Sequence, residues 1–176
     1  MNTSEEQDDA NNAYLVFRLG DEYYATPLLQ VREVVEKQLP KHIPNTVDSY
    51  LGVINIRGEI VGAIDLRIKF GHKPVSSLTE ALIVFETEQG VIAALADQLE
   101  GVHNIQASAI KTKPNIESKI SIEYIIAMAH FNKKILTIID LHKILAAEEI
   151  VQLHNKKEVK KENIKTDNNL DKGNAI

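Results

Sequence analysis

The chain has 176 residues, with 20 basic and 25 acidic side chains and a formal net charge of −5 at neutral pH. Apolar residues make up 44%, enough to bury the core of one ordinary domain or two small subdomains and too many for a largely disordered chain. The absence of cysteine excludes disulfides, thiolate zinc sites and a cysteine nucleophile, mild acidity argues against a general nucleic-acid binder, and no apolar run approaches the roughly 20 residues of a membrane-spanning helix.

No signal-peptide pattern opens the chain, and the composition predicts a cytoplasmic protein. Residues 1–12 are acidic and nearly without apolar side chains, and predict a disordered tail. A hairpin follows: Tyr14-Leu15-Val16-Phe17-Arg18-Leu19 and Tyr23-Tyr24-Ala25 flank a glycine-containing connection, Gly20-Asp21-Glu22. Gln30 to Val35 predicts a third strand, and Leu39 to Val47, with Pro40, Pro44 and Asn45, a loop. Tyr50 to Ile56 and Ile60 to Ile64 are β-branched runs hinged at Arg57-Gly58-Glu59.

The β pattern then continues through Ala81 to Phe85, Val91 to Leu95, Leu99 to Ile105, Tyr124 to Phe131 and Lys134 to Ile139. About ten short strands with turns every 8–12 residues predict a mainly β sandwich or barrel. Helical patterning is confined to stretches after Asp65 and Asp140, the latter through Leu145, Ile150 and Leu153. Residues 154–176, rich in Lys and Asn, predict a second disordered tail.

An internal repeat organises these strands. Tyr50-Leu51-Gly52-Val53-Ile54, a turn, Ile60-Val61-Gly62-Ala63-Ile64 and Asp65-Leu66-Arg67-Ile68-Lys69 recur as Tyr124-Ile125-Ile126-Ala127-Met128, a turn, Ile135-Leu136-Thr137-Ile138-Ile139 and Asp140-Leu141-His142-Lys143-Ile144. The tyrosines are 74 residues apart and the aspartates 75. Each aspartate ends a strand before a helical stretch, where a helix N-cap belongs. Val16-Phe17 and Val84-Phe85 likewise each begin a hairpin in their own half. The pattern predicts two similar β-subdomains about a pseudo-two-fold, in halves of roughly 13–71 and 80–153, with strands free to be exchanged between them.

No catalytic constellation accompanies this fold. The chain lacks a nucleophile elbow, a phosphate loop and a dinucleotide-binding glycine motif. The six histidines are scattered, with no metal-ligand spacing, and His142 reads as solvent-facing. Neither a cofactor nor a metal is expected, and the chain reads as no enzyme. Two charges instead stand where the fold does not ask for them. Glu33 interrupts the apolar strand Val31-Arg32-Glu33-Val34, and Arg57 occupies the tip in Asn55-Ile56-Arg57-Gly58.

These residues carry a resemblance to the CheW-like chemotaxis coupling proteins, over roughly Ala13 to Leu153. Leu29-Gln30-Val31-Arg32-Glu33-Val34 is similar to a strand of that family. Gly52-Val53-Ile54-Asn55-Ile56-Arg57-Gly58, followed by Ile60-Val61 and Ile64-Asp65-Leu66-Arg67, is similar to its signature segment. The opening hairpin, the run from Ala96-Asp97 to Val102 and the closing Ile139-Asp140-Leu141-His142-Lys143-Ile144-Leu145 fit in the same order. Gly62, where the family often has proline, and Gln98, where it often has glycine, depart from the pattern.

The resemblance implies two five-stranded SH3-like β-barrels with short helices and a C-terminal helix, spanning 13–153. It implies a non-catalytic adaptor that couples the cytoplasmic tip of chemoreceptors to the regulatory domain of a CheA-type histidine kinase, in arrays at the membrane. Carried over by position, the receptor-coupling residues are Val31, Glu33, Gly52 and Arg57, with Val102 a weaker addition. No nucleic acid and no membrane insertion are implied. The alternatives are an adaptor of a kinase pathway for twitching or development, and a small β-barrel enzyme or ligand-binding protein. A fusion to a receiver domain is not expected, given the short remainder after Leu153 and the absence of an acidic phosphorylation pocket.

Overall fold

Alternation of side chains along each strand sorts the apolar residues among those described into three cores. The computed structural model describes residues 12–74, 78–87, 90–111 and 122–144. The expected tails, apart from Asn12, and the expected helical stretch from Leu145 to Leu153 lie outside them. Ten strands form among the described residues: β1 (Ala13–Leu19), β2 (Glu22–Pro27), β3 (Val31–Glu36), β4 (Tyr50–Ile56), β5 (Glu59–Asp65), β6 (Ala81–Thr87), β7 (Gly90–Ala96), β8 (Gln98–Asn104), β9 (Ile125–Phe131) and β10 (Lys134–Ile139). One short helix, α1 (Leu66–Lys69), follows β5, and residues 141–144 are helical after β10.

The strands make two five-stranded sheets, ordered β8-β1-β2-β10-β9 and β3-β6-β7-β5-β4. Each barrel therefore takes the hairpin of one sequence half and the third, fourth and fifth strands of the other. The first barrel joins β1 and β2 to β8, β9 and β10; the second joins β6 and β7 to β3, β4 and β5. The repeat expected from the sequence is thus present with its strands exchanged, and the two strand orders are identical under the pseudo-two-fold.

The repeat extends to fine detail. Strand exchange produces one parallel contact per barrel, β10 with β2 and β5 with β7, and the remaining pairs are antiparallel. A register shift falls at Tyr50/Gly52 in β4 and at the matching Ile138/Ile139 of β10. One isolated bridge closes each barrel, Lys41 with Val53 and Lys111 with Met128. The loop expected over Leu39 to Val47 therefore contains a paired residue, Lys41, which covers part of the outer edge of β4.

In β1, Val16 points into the first barrel, while Leu15, Phe17 and Leu19 point to the shared core between barrels. In β6, Leu82 and Val84 fill the second barrel, while Ile83 and Phe85 meet the shared core. Phe17, Tyr24, Phe70 and Phe85 are fully buried there, and each large side chain so buried stabilises the fold by about 1.5–3 kcal/mol. That continuous apolar layer makes the two barrels one folding unit.

Both outer hairpins turn in two residues with positive φ: Arg57 and Gly58 at 51° and 92°, Asn132 and Lys133 at 50° and 62°. Left-handed pairs of this kind match the twist of the flanking strands. The first hairpin is tighter than expected, since Glu22 already pairs with Leu19 and leaves Gly20-Asp21 as the turn. His142 also departs from expectation. It sits against Phe85 edge-on at 6.3 Å rather than facing solvent, because the shared core extends to this helical segment.

Candidate functional site

The rim of the second barrel gathers four charges from two elements. β3 is an outer strand whose exposed and half-buried residues alternate from Val31 to Glu36. The β4–β5 turn projects beside it, its geometry fixed by the Asn55 side chain, which accepts the Gly58 N–H at 2.8 Å. Arg57 Nη2 lies 2.9 Å from Glu33 Oε2, and Arg32 Nη1 lies 3.1 Å from Glu59 Oε2.

The two ends of the first pair differ in environment. The Arg57 side chain is 82% exposed and that of Glu33 only 19%. Glu33 Oε2 is itself shielded from solvent, yet the contact lacks the alignment of a hydrogen bond. Charge, rather than a directed bond, holds this pair. Arg57 also adopts a left-handed backbone without being glycine or asparagine, a conformation that costs about 1 kcal/mol. The turn would form more readily with another residue there.

The other expected site residues are less uniform. Val31, opposite Phe85 at the start of β3, is half-buried and packs on the shared core. Gly52 is buried in β4, with φ of 128°, and an added Cβ would stand 2.2 Å from the Lys41 carbonyl oxygen. The closing bridge of the barrel thus crosses directly over Gly52, which presents no side chain to a partner. Val102 is 53% exposed but belongs to β8 of the first barrel, opposite Leu15. The structure brings Glu33 and Arg57 together; it buries Gly52 and puts Val102 on the other barrel. At Gly62 a Cβ would stand 3.0 Å from the Tyr50 hydroxyl, a tight contact that a small shift of the half-exposed tyrosine would relieve.

Sequence reading missed a second polar assembly, beneath the surface. Asp65 caps α1 by accepting the Arg67 N–H, as expected, and its carboxylate also takes Arg67 Nε and Nη2 at 2.9 and 2.8 Å. Arg67 Nη1 donates to Glu80 at 2.6 Å and to Asp97 at 2.8 Å, and Lys37 donates to Glu80 at 2.5 Å. Hydrogen bonds to Asp65 hold the Arg67 guanidinium above its ordinary range, against the opposing effect of burial. Burial would raise the Glu80 carboxyl, but Lys37 and Arg67 outweigh it and hold it below the usual glutamate range. The one sequence signal was an arginine inside the apolar run Ile64-Asp65-Leu66-Arg67-Ile68; its partners, Glu80 and Asp97, are too distant in sequence to identify.

No group of three or more His, Cys, Asp or Glu residues among the described ones is arranged to hold a metal ion. No described helix is long and apolar enough to cross a membrane. The charged groups at the rim and around Arg67 are paired with one another.

Comparison with known proteins gives that arrangement its family. The CheW-like domain model matches residues 13–149. The chain is 32% identical over 143 residues to the chemotaxis protein CheW of Klebsiella aerogenes, covering 81% of this chain and 86% of that protein. It is 30% identical over 135 residues to the chemotaxis protein CheW of Helicobacter pylori, covering 75% and 80%. The crystal structure of the scaffolding protein TtCheW from Thermoanaerobacter tengcongensis superposes with a TM-score of 0.70 at 29% identity, covering 76% of this chain and 87% of that one. Strand content, sheet pairing and sequence agree, and the chain belongs to the CheW-like family of non-catalytic scaffold adaptors of chemotaxis.

Proposed function

We propose that this protein couples chemoreceptors to a CheA-type histidine kinase, binding the receptor tip at the rim of the second barrel and the regulatory domain of the kinase elsewhere on the barrels. The observation that carries this reading is the Arg57–Glu33 pair: a strained, exposed arginine held over a shielded carboxylate at a turn the fold could build otherwise. Val31 supplies apolar contact beside the pair, and Val102 extends the surface to the first barrel. Gly52 acts indirectly, by letting the Lys41 segment close the barrel behind the rim. The working domain is 13–153, and its place is the cytoplasmic side of membrane-associated receptor arrays.

The test is Arg57→Asn, which gives the turn the residue found at the matching position of the other barrel. Stability should change by no more than about 0.5–1 kcal/mol, because an ion pair with one exposed partner contributes little. Kinase binding should persist, and receptor control of kinase activity should be lost. An Arg57→Asn protein that unfolds, or one that couples normally, contradicts the assignment.

A further inference from the structure

Asp97 stands where the chain leaves β7 of the second barrel for β8 of the first. Each of its polar groups is committed. Its N–H donates to the Arg18 carbonyl at 3.1 Å, and its carbonyl accepts the Thr79 hydroxyl at 2.9 Å. Oδ1 accepts Arg67 Nη1 at 2.8 Å, and Oδ2 accepts the Gly20 N–H at 2.7 Å. Arg67 follows β5 of the second barrel, and Gly20 forms the β1–β2 turn of the first, so one carboxylate holds both barrels. A second contact reinforces the same turn. The Tyr24 hydroxyl donates to Glu22 at 2.6 Å and lies 3.1 Å from His72 Nε2, just beyond α1.

The pseudo-two-fold does not repeat this arrangement, and a long contact, Gln30 Nε2 to Asp140 Oδ1 at 3.4 Å, stands there instead. The same symmetry puts His142 at the place of Arg67 and Leu29 at the place of Asp97. Leu29 is 74% exposed, and the shielded Nε2 of His142 has no hydrogen-bond partner among the described residues. Neither side chain can bridge the barrels as Arg67 and Asp97 do. The shared core beneath is apolar, and apolar burial is non-directional.

We propose that Arg67, Asp97 and the Gly20 N–H form a one-sided clasp that sets the angle between the two barrels. Arg67 and Asp97 are positioning residues: they touch neither partner, and they hold the surface of one barrel at a fixed attitude to that of the other. Its bearing on coupling rests on the function proposed above; the angle itself does not.

Because the chain has no cysteine, spin labels can be placed at Ile60→Cys and Ile135→Cys, exposed positions at matching tips of the two barrels. Double electron–electron resonance should give one narrow distance population in the full chain. Asp97→Ala should broaden or shift it. Asp97→Asn, which keeps the shape and one acceptor oxygen, should do so less, and it carries the test if the alanine variant does not fold. Val61→Ala, in the core of the second barrel, is the control for general loss of stability and should leave the distance unchanged. An unchanged distribution in the Asp97 variants, or equal broadening in Val61→Ala, overturns the proposal.

In solution with a kinase regulatory domain and a receptor fragment, Asp97→Asn should keep each pairwise affinity and lose about tenfold in simultaneous binding. Failure of the unaltered protein to bind either partner removes the function proposed above and leaves the distance result standing.

Discussion

At the tip of the second barrel Arg57 leans on Glu33 and Arg32 on Glu59; the matching positions of the first barrel hold Asn132, Gly101, Glu100 and Lys134. There Lys134 lies over the Tyr23 ring at 5.2 Å, and Phe131 packs between Tyr23 and His103 at 5.7 and 4.7 Å. Strand order, turn type and closing bridge are nevertheless the same in both. Shared backbone with divergent rims separates the two kinds of information in the chain. Periodicity and turn chemistry build a barrel twice, and the Arg57–Glu33 and Arg32–Glu59 ion pairs distinguish the rim of one copy.

The sharpest way to test that separation is at Arg67 and His142, which occupy matching places after their capping aspartates. Arg67→Ala leaves Asp65, Glu80 and Asp97 without their common cation, and should cost about 3–5 kcal/mol. His142→Leu removes a nitrogen with no hydrogen-bond partner among the described residues and should cost about 1 kcal/mol or less. Urea unfolding of both variants measures the difference. Equal losses would mean that the two places are energetically alike.

A smaller contrast lies where each barrel closes. Gly52→Ala forces a Cβ onto the Lys41 carbonyl at a φ that side chains rarely adopt, and should cost about 2 kcal/mol or more. Ala127→Gly, at the residue that faces Ile138 of β10 as Gly52 faces Ala63 of β5, should cost about 1–2 kcal/mol through backbone entropy and one buried methyl. If Gly52→Ala were as mild, the crossing of Lys41 over Gly52 would not govern the second barrel.

The smallest effect separates the barrels by pH. The Glu80 carboxyl is held below its ordinary range in the folded protein, so its contribution is present above the unfolded value of about 4.3. That contribution is lost as pH falls through the depressed value. Comparing unfolding of the unaltered protein with Glu80→Gln from neutral to acid pH should show a difference that shrinks below pH ~4.3. A difference independent of pH would assign the effect of Glu80 to shape rather than charge.

The sequence was most readable where a single strand or turn decides the outcome. Val16-Phe17 and Val84-Phe85 mark the two hairpins, Asp65 marks its cap, and Arg57-Gly58-Glu59 marks the hinge between two strands. Pairing between distant strands was less accessible. Alternation shows which residues of β3 are buried but not that its partner is β6, since both barrels offer equivalent hairpins. The Glu33–Arg57 pair stood out because one charge interrupts an apolar strand and the other sits at the tip between two β-branched runs, and the structure supplies their contact. Asp97 and Glu80 gave no such signal, because each lies at a strand boundary where charge is ordinary. Gly52 was noted for its place in a motif, and its steric reason is the Lys41 carbonyl, which comes from a loop that reads as featureless.

Strand exchange also gives the two barrels unequal histories during synthesis. Every strand of the second barrel lies in one stretch from Val31 to Ala96, whereas the first needs β1 and β2 at one end and β8 to β10 at the other. As the chain emerges from the ribosome, the second barrel has all its strands once Ala96 is out. The β1–β2 hairpin, made before them, must wait until Asn104 for β8 and until Ile139 for β10. Through that interval Ile139, Leu141 and Ile144 are still missing from the core around Phe17, Leu19 and Tyr24, and the β2 edge of the hairpin remains open to any other strand. The part of the molecule translated first is thus the last to be completed.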